Sequence, residues 1–169
     1  MKSSTKAWLV ALAFSIVGVT SLLFNAPSST YLISHILFYT VLTLNSFFSI
    51  RLFSAIQPHT TSQTVVDVLL FVIYILLAFS IGRATLFAFL ALCVFVAATP
   101  KYALMLNVVR EGSLLKRKIL IDCSGIALCT IVLGGTFLGY ESISAWFLAG
   151  IFTLANVYFL FIRPMYRLG

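Results

Sequence analysis

The sequence predicts an all-α, polytopic transmembrane bundle of about six helices, arranged as three hairpins with both termini on the cytoplasmic side. Two observations carry this prediction. Of 169 residues, 62% are hydrophobic and 9% charged, and the apolar residues gather into windows of about 20, the length that crosses roughly 30 Å of hydrocarbon as a helix. A soluble domain carries about a quarter charged residues, so too few charges exist to cover a water-exposed surface. No polar stretch is long enough for a separate soluble domain, and the hydrophobicity excludes disorder. Residues 1–169 read as a single integral membrane domain.

The first window, 7–24, follows Lys2 and Lys6 as a signal peptide would, but no small-x-small cleavage site precedes Pro27, so it is expected to stay as an anchor. The second, 30–53, carries His35 near its outer end, then Asn45 and Arg51. The third and fourth, 64–81 and 84–105, are divided only by Gly82-Arg83. One continuous helix is the alternative there, but roughly 36 residues would run about 54 Å, too far for one crossing. Pro100 predicts a kink in the fourth helix and a freed carbonyl. The fifth and sixth windows are 119–140 and 143–162.

Orientation follows from the basic residues. Ten of the 11 Lys and Arg residues fall on one side of this topology and only Arg83 on the other, which places that side in the cytoplasm. The cell (inner) membrane is the expected location. The formal charge of +7 then needs no nucleic-acid partner. A loop from Glu111 to Lys118 could sit on anionic lipid, with Arg110, Lys116, Arg117 and Lys118, together with Arg51 and Arg163, meeting headgroups or forming salt bridges.

Cys93, Cys123 and Cys129 lie inside the windows without a CxxC pair or a nearby histidine, so they read as small packing residues and no metal site is expected. His35 and His59 fall on opposite sides of the bilayer, against a bis-histidine haem, and no cofactor is expected. For His35 a hydrogen-bonded structural role stands ahead of proton handling.

The three hairpins show a weak internal echo. The third and fifth helices each carry an acid four residues after a polar start, Asp67 and Asp122, while Asn45, Thr99 and Asn156 share one height on the even helices. This suggests threefold repetition about an axis along the membrane normal. Small residues predict where helices meet: Ala7, Ala11, Ser15 and Gly18; Ala84, Ala88, Ala91 and Ala98; Gly125, Cys129, Gly135 and Gly139; Ala145, Ala149, Thr153 and Asn156. Bulky Phe and Leu residues would then face lipid, with the third helix peripheral. The same small-residue faces could bind a second copy or a partner protein.

Candidate site residues are Asp67, Asp122, Asn45, Asn156 and Lys101, all expected in the cytoplasmic half. Two carboxylates at one height could bind a cation or carry a proton. Against that, each acid is expected in a first helical turn, where the helix dipole stabilises it, paired with Lys101, Arg51 or Arg163. Asn45 and Asn156 are expected to bond to each other or to neighbouring helices. No HExxH or phosphotransfer motif appears, and Ser34-His35, as neighbours in a helix, point to different faces, so no enzyme activity is expected. Two function classes remain: a small-solute or ion transporter or channel subunit, and a non-catalytic accessory or assembly subunit that binds a partner protein or anionic lipid.

Overall fold

The computed structural model describes residues 3–24, 30–56, 60–106 and 112–163. Lys2, Pro27, His59, Arg110, Glu111 and Arg167 lie outside the described residues. Within them the chain forms α1 (Ser3–Phe24), α2 (Leu32–Ile56), α3 (Thr61–Phe79), α4 (Ala84–Leu106), α5 (Gly112–Phe137) and α6 (Glu141–Val157), the last continuing as a π-helical turn, Tyr158–Ile162. Six helices, α6 counted with that turn, are long and apolar enough to cross a membrane. The fold is a multi-pass helix bundle.

The hairpin turns follow from local chemistry. Gly82 and Gly139 adopt φ of 91° and 85°, which L side chains rarely reach, so a glycine stands where the chain reverses between α3 and α4 and between α5 and α6. At the other end of α3, the Thr60 side chain accepts from Gln63 N–H at 3.3 Å and caps the helix.

The helices close into a ring in the order α1, α2, α6, α5, α4, α3, and α4 also touches α6 across the middle. Each hairpin pairs its own two helices, as expected. Threefold repetition would set α2 beside α3 and α6 beside α1, whereas the principal neighbours are α2 with α6 and α1 with α3. The short echo of acids and asparagines therefore does not extend to the packing order.

Each helix turns one stripe inward. On α5 the buried residues are Leu115, Lys118, Asp122, Gly125, Cys129, Val132 and Thr136, separated alternately by three and four residues. Close approach occurs where the small residues predict it: a Cβ on Gly125 would stand 2.5 Å from the Phe95 ring, and one on Gly18 2.9 Å from Tyr39. Gly135 meets Ser144 just as closely, so its face belongs to the α5–α6 hairpin. Gly139 lies beyond the end of α5, with nothing near its would-be Cβ. It terminates the helix and packs against no other helix, contrary to the expected Gly135xxxGly139 contact. Ala145 and Ala149 are buried, and Thr153 is half-buried.

The expectation that bulky aromatic residues face lipid needs correcting. Phe14, Phe38, Phe53, Phe87, Phe95 and Phe152 are all buried. Phe38 stacks obliquely on Phe152 at 4.5 Å and meets Phe87 edge-on at 5.6 Å. A ring of six helices leaves more interior volume than small residues can fill, and rings fill it. Phe79, Phe89, Phe137, Phe147 and Phe161 do face outward.

Candidate functional site

The interior is packed unevenly. At the end that carries Lys6, Lys101 and Lys118, here called the basic end, a cavity of about 560 Å³ opens between α1, α2, α3, α4 and α5. Toward the opposite end it stops against Phe14 and Tyr74, whose rings stack at 4.6 Å, and against Leu42 and Phe95. A smaller cavity of about 290 Å³ lies among α2, α4, α5 and α6, and shares Asn45, Phe95 and Lys118 with the larger one.

Two ion pairs line the larger cavity. Lys101 Nζ on α4 donates to Asp67 Oδ1 on α3 at 2.7 Å, and Lys6 Nζ on α1 stands 4.0 Å from Asp67 Oδ2. One carboxylate thus ties three helices. On α5, Lys118 Nζ donates to Asp122 Oδ1 at 2.8 Å, one turn apart on the inward stripe. The two pairs differ in depth: the side chains of Lys118 and Asp122 are 7% and 1% exposed, those of Lys101 and Asp67 11% and 27%. Lys118 also lies 5.4 Å from the centre of the Tyr102 ring, within cation–π range.

Neither acid stands in a first helical turn. Helix α5 starts at Gly112, so Asp122 lies in its third turn, and Asp67 lies in the second turn of α3. From Gly112 on, the segment expected to be a basic loop is helical. Its residues, Leu114 to Lys118, are good helix formers, and at 26 residues α5 runs about 39 Å, long enough for its first turns to clear the hydrocarbon. Lys116 and Arg117 are exposed there, as are Arg51 and Arg163 elsewhere, whereas Lys118 turns inward. The helix-dipole account of the carboxylates therefore falls away, and their lysines hold them in place.

Hydroxyl and amide groups complete the lining. Ser46 Oγ and Tyr74 Oη are 2.6 Å apart, Ser49 Oγ and Tyr102 Oη 2.9 Å, and Gln63 Nε2 donates to the Lys101 carbonyl at 3.2 Å, so α2, α3 and α4 are tied across the cavity. Asp122 Oδ2 and Ser54 Oγ, on two lining residues, are buried without a hydrogen-bond partner among the described residues, as are Thr43 Oγ1 and Thr153 Oγ1, whose residues line neither cavity. A buried acceptor without a partner is costly.

Asn45 lines both cavities and Asn156 the smaller one. The Asn156 amide donates within its own helix, to Phe152 O at 2.8 Å. No known protein family, curated protein or solved structure matches the chain.

The structure thus brings together Asp67, Asp122, Asn45 and Lys101 around one space, and Asn156 beside it. Sequence reasoning missed Lys118 as a lining residue, together with Lys6, Gln63, Tyr74 and Tyr102. His35 lies apart, buried near the other end, where its Nδ1 accepts from Gly82 N–H at 3.2 Å and its ring stacks on Phe87 at 3.9 Å. That arrangement fits the structural role. Cys93, Cys123 and Cys129 are free thiols, and only Cys129 is fully buried.

Proposed function

We propose that the chain is a small-solute or ion transporter or channel subunit, with the basic-end cavity as its solute site. The observation that carries this reading is a cavity of about 560 Å³, large enough for a small molecule, whose lining includes Lys6, Asp67, Lys101, Lys118 and Asp122. A bundle shaped only for stability would fill that volume and would not line it with five charged side chains. The cavity reaches one end and is blocked by aromatic rings toward the other, which suits a carrier that exposes its site to one side at a time.

The accessory-subunit reading has less to rest on. Gly135 is occupied by Ser144, Gly139 shapes a turn, and Ala145 and Ala149 are buried inside the bundle. Gly135, Ala145 and Ala149, which could have met a partner, are used within the chain.

The test starts with protein in nanodiscs and a panel of alkali chlorides, inorganic anions, mono- and dicarboxylates, amines and amino acids, read by thermal shift. Any stabiliser is then carried into proteoliposome counterflow. The expected result is one solute class that raises Tm and exchanges across the membrane, with both effects lost in Asp122→Asn. If no solute stabilises or exchanges, and gently extracted protein carries a stoichiometric protein partner, the accessory role replaces this proposal.

A further inference from the structure

The smaller cavity opens in a different direction from the larger one. Leu120, 68% exposed, and Ile151, 39% exposed, stand at its rim on α5 and α6, whereas Gly125, Phe152 and Asn156 are buried in its floor. In spanning helices an exposed side chain faces hydrocarbon, so this space is a groove between α5 and α6 that opens sideways to the bilayer. Polar groups in its lining are turned to partners within the protein: Lys118 donates to Asp122, the Asn156 amide to Phe152 O, and Ser124 Oγ to Leu120 O at 2.9 Å. What the groove offers an occupant is chiefly hydrocarbon. It also runs for only part of the hairpin. From Lys118 to Leu128 α5 rises about 15 Å, half of the roughly 30 Å hydrocarbon core and so the depth of one leaflet. Farther along, Gly135 meets Ser144 and the two helices close. A helix from a second copy would need a face along the whole crossing, whereas one lipid tail needs only this half.

At the basic end both walls of the groove finish in an arginine. Arg117 stands four, seven and eleven residues before Ile121, Ser124 and Leu128, on the same face of α5. On the other wall the Arg163 N–H donates to Tyr158 O at 2.8 Å, and this wider π turn sets Arg163 one turn beyond Phe159. Both arginines are exposed. Cations above an apolar slot between helices match an anionic headgroup above its chain. We propose that the α5–α6 groove binds an anionic phospholipid of the leaflet at the basic end, with one acyl chain in the groove and the phosphate at the level of Arg117 and Arg163. This site stands whether or not the larger cavity takes a solute.

Native mass spectrometry of the delipidated full chain, titrated with dioleoylphosphatidylglycerol or dioleoylphosphatidylcholine, tests this. The first phosphatidylglycerol is expected to bind roughly tenfold more tightly than the second, and than the first phosphatidylcholine. Arg117→Gln combined with Arg163→Gln should remove that preference, whereas Arg51→Gln, on α2, should keep it. Ala155→Phe, which fills the groove, should weaken the first site for both lipids. Should that variant fail to fold, sn-glycerol 3-phosphate decides, because the headgroup without its chains should not compete at the same concentration. Equal binding of the two lipids overturns the inference, as does a preference that survives loss of both groove arginines or falls equally in Arg51→Gln. So does a folded Ala155→Phe variant that binds normally, competition by glycerol 3-phosphate, or a dimer that forms through this face in place of the lipid.

Discussion

The two ends of this bundle are built by different rules. At one end, Phe38, Phe87 and Phe152 fill the ring, and His35 is stacked and hydrogen-bonded within it. At the basic end α1 to α5 enclose open space, held by ion pairs and hydroxyl contacts. Packing needs only matching volume, but a charged group in hydrocarbon needs a specific partner. The aromatic end should therefore respond to lost volume, and the basic end to lost charge.

The largest effect is expected from Lys118→Met, which leaves the Asp122 carboxylate buried without its cation and should cost about 4 kcal/mol. Reversible unfolding in mixed micelles measures it. Replacing both partners, Lys118→Met with Asp122→Leu, should recover most of that stability while abolishing solute binding. If the double variant is no more stable than the single, the pair does not act as a unit.

Phe87→Ala at the other end should cost about 3 kcal/mol by the same assay, because a fully buried ring leaves a cavity that the surrounding helices cannot close. It should leave solute affinity unchanged. Gly125→Val lies between the regimes: its side chain would collide with Phe95, whose residue lines both cavities, so about 2 kcal/mol of destabilisation should come with altered affinity. Asp67→Asn is the mildest, under about 1 kcal/mol, since that pair is partly exposed. A loss for Asp67→Asn as large as that for Lys118→Met would erase the distinction between shallow and deep pairs.

Much of the architecture was legible in the sequence because six apolar windows are a strong signal and Gly82 divides the third from the fourth, whereas Gly139, read as a packing residue, ends α5. The start of α5 was misplaced because Lys116-Arg117-Lys118 resembles a headgroup loop, although one continuous helix can put two of those residues outside and the third inside. A signal for this was present. Carried backward from Cys129 and Gly125 in steps of four and three, the small-residue stripe lands on Asp122, Lys118 and Leu115, all buried. Charge type suggested a surface, whereas periodicity pointed to the interior.

The aromatic core was not legible, since a phenylalanine facing lipid and one facing a wide interior satisfy the same hydropathy rule. Neighbour order was hidden for a similar reason. Helix hairpins fix which helices pair in sequence, but not that α2 finds α6 or that α1 finds α3. Asp67 and Lys101 could be guessed as partners from height alone; the third helix that joins them, through Lys6, could not.

The ring order has a consequence for biosynthesis. Helices emerge from the ribosome in sequence, and the first five can form only an open arc, running from α2 through α1, α3 and α4 to α5. The gap between α2 and α5 closes when α6 arrives, and it is α6 that covers the aromatic face of α2 around Phe38. Until then that face meets lipid or a chaperone, and the site at the basic end has no complete wall behind Asn45 and Lys118. A nascent chain stopped at Tyr140 would thus be inserted in the membrane but unfinished, which makes the last hairpin the step at which quality control can tell a completed protein from an abandoned one.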